Sequence, residues 1–222
     1  MKRKYVQGFS ILFFKLLTRT TFEGCEYLPP KGGVIVTTNH LSRMDIPLLG
    51  ANPGRTDITA MVTDKYKDYA FFKWFAESVE CIWLDRTKAD FTAFAAAIKA
   101  LRDGRAMGIA PEGTRSLTGQ LLEGKAGTAV LASRVDVPLV PVAIMGTETA
   151  FEKMRHVQRP RIHVRFGPAY RLPPLDRNDK DGYIKNVTDE IMCRIAVLMP
   201  ESYHGFYAGH PRIASLRKEL NL

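Results

Sequence analysis

His40 and Asp45 stand five positions apart in the run Asn39-His40-Leu41-Ser42-Arg43-Met44-Asp45. An imidazole and a carboxylate at that separation can meet across one turn. The carboxylate then holds the ring in one orientation and stabilises its cationic form. The other ring nitrogen is left to take a proton from a hydroxyl. The same pattern also suits a histidine that only caps a turn. No serine sits in a Gly-x-Ser-x-Gly elbow, so a hydrolase triad of that kind has no nucleophile here. The hydroxyl that such a base would activate therefore has to arrive with the substrate.

A second run, Ala110-Pro111-Glu112-Gly113-Thr114-Arg115-Ser116, carries a different chemistry. Gly113 permits close backbone approach to a ligand. Thr114 and Arg115 supply a hydroxyl and a guanidinium fork suited to phosphate. Taken alone, this run also reads as a polar turn with a surface salt bridge.

Both runs follow predicted strands. Gly33 to Thr38 is a β-branched stretch that opens after Pro-Pro-Lys-Gly-Gly, and Ala106 to Ala110 precedes the second run. Further strands are expected at Ile58–Val62, Cys81–Leu84, Leu139–Ile144 and Ile162–Phe166. Helices are expected over 67–77, 89–103, 126–135 and 181–199. The clearest is 89–103, where Phe91, Phe94, Ile98 and Leu101 recur at helical spacing and Gly104 stops the run. Strands alternating with helices over one continuous span predict a single α/β domain. Its sheet is mixed and largely parallel, flanked by helices. The expected division is an N-terminal helix over 1–21, the α/β domain over 22–200 and a tail over 201–222.

The chain has 222 residues, a net charge of +9, 45% hydrophobic residues and 25% charged ones, which together describe a globular protein. Cys25, Cys81 and Cys193 are an odd number with no Cys-x-x-Cys, against a disulfide scaffold or zinc ribbon and for a reducing compartment. No apolar run reaches the length of about 18 residues that a membrane-spanning helix needs. The positive charge is concentrated. Residues 1–22 hold Lys2, Arg3, Lys4, Lys15 and Arg19 with no acid. Residues 155–180 hold Arg155, Arg159, Arg161, Arg165, Arg171, Arg177 and Lys180 against Asp176 and Asp179. Such zones predict an anionic partner surface. On a helical wheel Tyr5, Val6, Phe9, Leu12, Phe13, Leu16 and Leu17 share one face, with Lys4, Gln7, Lys15 and Thr18 opposite. That is the pattern of a helix lying in a lipid headgroup region, or of one docked on its own core. No nucleic-acid-binding pattern accompanies it.

Four blocks in order carry a resemblance. They are Asn39-His40-x4-Asp45, Ile82-Trp83-Leu84-Asp85-Arg86, Pro111-Glu112-Gly113-Thr114-Arg115-Ser116 and Val137-Pro138-Leu139-Val140-Pro141-Val142. Together they resemble the glycerolipid acyltransferases of the 1-acylglycerol-3-phosphate type, over roughly Phe22 to Phe166. Gly124-Lys125-Ala126-Gly127 resembles the family's Lys-x-Gly turn. Lys65 sits where the family often has Ala-Lys.

The resemblance implies that His40 is a general base and Asp45 its orienter. Arg86, Glu112, Gly113, Thr114 and Arg115 would handle acceptor and phosphate, with Lys65 and Lys125 as additional cations. It implies direct transfer of a fatty acyl group from acyl-CoA or acyl carrier protein to a lysophospholipid acceptor, 1-acylglycerol-3-phosphate. No covalent intermediate, metal or cofactor is expected, because a thioester is already activated. The implied setting is the cytoplasmic face of the cell membrane, with the protein bound peripherally. The same blocks also suit another lysolipid, glycolipid or aminolipid acceptor, or a lipid-binding protein without activity. His156, His163, His204 and His210 read as structural.

Overall fold

The structure is a computed structural model that describes residues 2–87, 90–176 and 178–222. Arg177 of the second basic zone lies outside the described residues. Seven strands form one sheet: β1 (Arg19–Glu23), β2 (Val34–Thr38), β3 (Thr59–Thr63), β4 (Ile82–Leu84), β5 (Ala106–Ile109), β6 (Leu139–Met145) and β7 (Arg161–Phe166). Their order across the sheet is β1-β7-β6-β2-β5-β3-β4. Every pairing is parallel except β6 with β7, which is antiparallel. The expected mixed, largely parallel sheet is therefore present.

Among the described residues eight helices accompany it: α1 (Lys2–Leu17), α2 (Asp45–Gly50), α3 (Ala70–Ser78), α4 (Phe91–Arg102), α5 (Ala126–Ala132), α6 (Ala150–Arg155), α7 (Lys180–Ala196) and α8 (Pro211–Leu220). The central strand β2 is buried at every position. Its side chains alternate between two cores. Val34 and Val36 join Leu48, Leu49, Val140, Val142 and Phe14 on one face. Ile35 joins Met107, Leu131, Leu139, Ile191 and Met192 on the other.

Two segments outside 22–200 join the sheet and the core. The N-terminal helix ends at Leu17, and Arg19–Thr21 belong to β1, which pairs with β7. This strand carries no apolar alternation of its own (Arg-Thr-Thr-Phe-Glu), so its pairing partner alone defines it. Residues 201–203 and 205–207 form 3-10 turns, α8 follows, and Tyr207, Ile213 and Leu216 are buried in the core. The short helices α2 and α6 carry too few turns for periodicity to announce them.

The face of α1 also differs from the wheel reading. Val6, Ser10 and Phe14 are the buried stripe, and Thr18, placed on the polar side by the sequence, is buried just beyond the helix. Tyr5, Phe9, Leu12 and Leu16 point outward. Docking on α2 rotates the helix so that only part of its apolar surface is used. Both ends are tied down. Arg3 Nη2 donates to the Ile58 carbonyl at 2.7 Å. Arg159 Nη2 donates to the Lys15 and Thr18 carbonyls, each at 2.6 Å, meeting the unpaired carbonyls of the helix end. Much of the second basic zone is thereby occupied, since Arg165 also pairs with Glu23 and Arg171 with Asp136. Among the described residues no helix is long and apolar enough to cross a membrane.

Candidate active site

Parallel neighbours point their carboxyl ends to one edge, so the segments after β2, β3, β4, β5 and β6 converge there. This is the usual ligand edge of an open α/β sheet. The exit from β2 is held by Asn39. Its Nδ2 donates to the Ile144 carbonyl and its Oδ1 accepts from the Ile144 N–H, both at 2.8 Å. The side chain thus replaces a rung of the β2–β6 ladder and frees the backbone to turn at His40.

The turn brings the dyad together. His40 Nδ1 lies 2.8 Å from Asp45 Oδ2. The same oxygen accepts the Leu41 and Ser42 N–H groups at 2.8 and 2.7 Å, and Oδ1 accepts the Thr147 hydroxyl at 2.8 Å. Asp45 is 1% exposed, yet four donors surround it. With three other donors aimed at it, the carboxylate is the acceptor in its contact with the ring. We therefore assign the His40 proton to Nδ1, which leaves Nε2 as the acceptor. The His40 side chain is 22% exposed, so the ring is open to a ligand along part of its surface.

Glu112, which the resemblance implies handles the acceptor, braces the dyad turn in this structure. It is 1% exposed. Its Oε1 accepts the His40 N–H at 2.9 Å and its Oε2 accepts the Leu122 N–H at 2.8 Å. Ser116 N–H donates to the His40 carbonyl at 2.8 Å. Glu112 is thus a positioning residue that ties the β2 exit to the segment after β5. Burial pushes its carboxyl up to about 7, against the two N–H bonds and the nearby imidazole.

A stability prediction follows from that shift. An ordinary glutamate ionises near 4.5, and the folded protein holds this proton up to about 7. The group's contribution to stability is therefore greatest below 4.5 and is lost as pH rises to about 7. The change is on the order of 3 kcal/mol. Glu112→Gln should lower stability at neutral pH, because Nε2 cannot accept a backbone N–H, and should flatten the pH dependence in urea melts. An unchanged slope would place the titration on another group.

Gly113 adopts φ +67°, a conformation that glycine takes without strain. A Cβ there would sit 3.1 Å from Lys125 Cδ and 3.7 Å from Arg86 Nη2. Residues from the ends of β4 and β5 and from the start of α5 thus meet at one point. Among the described residues neither Arg86 nor Lys125 has a carboxylate partner. Thr114 is exposed and Arg115 half-buried on the same segment. Two cations beside this backbone turn have the charge and donors that suit a phosphate. Lys65 reaches the same edge on the 3-10 turn 64–68, but its ammonium lies over Tyr66, 5.4 Å from the ring centroid.

Several supporting residues have no local signature. Thr147 lies 102 positions from Asp45. The C-terminal segment holds both supporting loops. Leu121 N–H donates to the Tyr203 carbonyl at 2.8 Å, and the Tyr207 hydroxyl accepts the Gly124 N–H at 3.1 Å. Tyr203 OH donates to Glu148 at 2.9 Å, next to Thr147.

The chain is similar to known proteins. The family model described as Acyltransferase matches residues 19–145. A probable 1-acyl-sn-glycerol-3-phosphate acyltransferase of Mycoplasma pneumoniae is 30% identical over 141 residues, 60% of this chain and 52% of that one. The chain thus spans about half the length of that relative. The 1-acyl-sn-glycerol-3-phosphate acyltransferase of Saccharomyces cerevisiae is 37% identical over 127 residues, 52% of this chain and 39% of that one. Among solved structures, the 1-acyl-sn-glycerophosphate (LPA) acyltransferase of Thermotoga maritima superposes with a TM-score of 0.67 at 25% identity, covering 84% of this chain and 76% of that one.

Proposed function

The chain belongs to the acyltransferase family, and we propose that it moves a fatty acyl group from an acyl thioester to the sn-2 hydroxyl of 1-acylglycerol-3-phosphate, giving phosphatidic acid. The observation that carries this reading is His40, with Nδ1 bound to Asp45, at the same sheet edge as Arg86 and Lys125. The relatives' names support the acceptor.

In the proposed reaction, Nε2 takes the proton of the acceptor hydroxyl as its oxygen attacks the thioester carbonyl. A tetrahedral oxyanion forms. Asp45 stabilises the resulting imidazolium without itself becoming protonated. The carbonyl re-forms, the C–S bond breaks, and the imidazolium returns its proton to the departing thiolate. The products are the ester and the free thiol of coenzyme A or acyl carrier protein. Arg86 and Lys125, with Arg115 alongside, receive the acceptor phosphate and hold the hydroxyl at His40. The acceptor is a lipid, so the protein meets a bilayer, on its cytoplasmic face and without spanning it. The outward stripe of α1, flanked by Lys4 and Lys15, supplies the contact.

The test is transfer of labelled acyl groups from acyl-CoA and from acyl carrier protein to a panel of lysolipids. The panel includes lysophosphatidic acid and a phosphate-free monoacylglycerol. Lysophosphatidic acid should be preferred, and the double variant Arg86→Ala/Lys125→Ala should lose about a hundredfold in kcat/KM on it alone. Equal use of the phosphate-free acceptor by the unaltered protein would overturn the assigned substrate.

A further inference from the structure

We infer that helix α3 forms a second lipid-docking surface beside the dyad, with an anionic bilayer as its occupant. The inference rests on the reading of the acceptor as a membrane lipid and adds the place where the membrane meets the active-site edge.

The segment 66–74 holds Tyr66, Tyr69, Phe71, Phe72 and Trp74. Their rings contact one another from Tyr66 through Trp74. Tyr69 and Phe71 are each 58% exposed and Trp74 is 48% exposed. A cluster of large rings left in water at one helix face is the mark of an interaction surface. Tyrosine and tryptophan, with apolar bodies and polar tips, are the residues that settle at headgroup depth.

Placement and charge select the occupant. The cluster begins directly after β3, at the carboxyl edge that carries His40. The Arg43 guanidinium, inside the turn between His40 and Asp45, lies 5.8 Å from the centroids of both Tyr66 and Phe72. The dyad turn thus rests against the aromatic cluster. On its other side α3 packs against α1, whose outward stripe is also aromatic and aliphatic. Lys65, Lys67 and Lys73 are exposed along the cluster, and Lys4 and Lys15 along α1. The acids of the 64–78 segment are Asp64, Asp68 and Glu77, equal in number to its lysines. The basic excess of α1 therefore makes the joint surface positive. A positive, aromatic surface complements anionic headgroups. It does not complement a second copy of itself, which would set lysine against lysine.

The experiment compares the full chain with Phe71→Ser/Trp74→Ser and with Tyr5→Ser/Phe9→Ser. All four positions are exposed, and unchanged thermal midpoints would verify folding. Binding is read by co-sedimentation with phosphatidylcholine vesicles, with and without phosphatidylglycerol. Transfer to a short-chain, water-soluble lysophosphatidic acid is measured in parallel. The α3 variant should bind anionic vesicles about tenfold more weakly and keep its rate on the soluble acceptor. Unchanged vesicle binding in the α3 variant alone would overturn the α3 surface and leave the lipid reading in place. Unchanged binding in both variants would overturn the two lipid contacts together. If the unaltered protein proved dimeric in light scattering and the α3 variant monomeric, with vesicle binding unaffected, the surface would be a contact between copies.

Discussion

Replacing His40 by alanine should reduce acyl transfer by about a thousandfold while the protein stays folded. The separation of the two effects comes from the hydrogen-bond pattern around Asp45. Removing the imidazole takes one donor from Oδ2, which keeps the Leu41 and Ser42 N–H groups, and Oδ1 keeps Thr147. The His40 backbone remains tied to Glu112 and Ser116. No buried polar group is stranded, so stability should change by only about 1 kcal/mol. Initial rates with lysophosphatidic acid and urea melts on the same preparation would test both halves. A variant with full activity would remove His40 from its role as base. A variant inactive only because it is unfolded would leave the structural half of the claim in error.

Asp45→Asn is the second large effect and separates orientation from charge. The asparagine Oδ1 can occupy the position of the carboxylate oxygen that accepts from His40, Leu41 and Ser42. Its Nδ2 then faces the Thr147 hydroxyl, which can turn to accept. The turn therefore survives, but the negative charge that stabilises the imidazolium is gone. The expected loss in kcat is about a thousandfold. The KM for the acceptor should be nearly constant, because the proposed phosphate seat at Arg86, Gly113 and Lys125 lies on other loops. Asp45→Ala is a different experiment. It strands two backbone donors, a hydroxyl and a ring N–H in a buried site. It should cost about 3–5 kcal/mol of stability besides activity. A rise in acceptor KM with unchanged kcat in Asp45→Asn would mean that Asp45 serves binding instead of proton transfer.

The pairing of His40 with Asp45 is legible in the sequence because it is local. A five-residue separation lets the side chains meet across one turn, and the other blocks of the resemblance favour that pairing over a histidine that only caps a turn. The core strands are legible for a similar reason. β2 and β6 are runs of β-branched and aliphatic residues, buried on both faces, and a parallel sheet covered by helices demands such runs. Arg86 and Lys125 stand out by resemblance, and the structure draws them to Gly113 because the strand ends that carry them share one edge.

What the sequence leaves open has a common cause, since each case depends on a partner far along the chain. The resemblance places Glu112 at the acceptor, while its burial and its bond to the His40 N–H, 72 positions away, appear only in the fold. Thr147 becomes a support of the dyad only when β6 lies beside β2. β1 has no apolar pattern and exists as a strand because β7 offers it an edge. The amphipathic face of α1 can be drawn on a wheel, yet the division between its docked stripe and its outward stripe depends on the position of α2. The chain by itself determined the strand-helix alternation and the basic N-terminal helix, because these follow from propensity and periodicity within a few turns, and it offered the proposed reacting groups through short local motifs. Tertiary structure decided which polar groups are buried, which loops brace the dyad and which apolar surfaces stay in water, because burial is a property of the packed whole and carries no local signature.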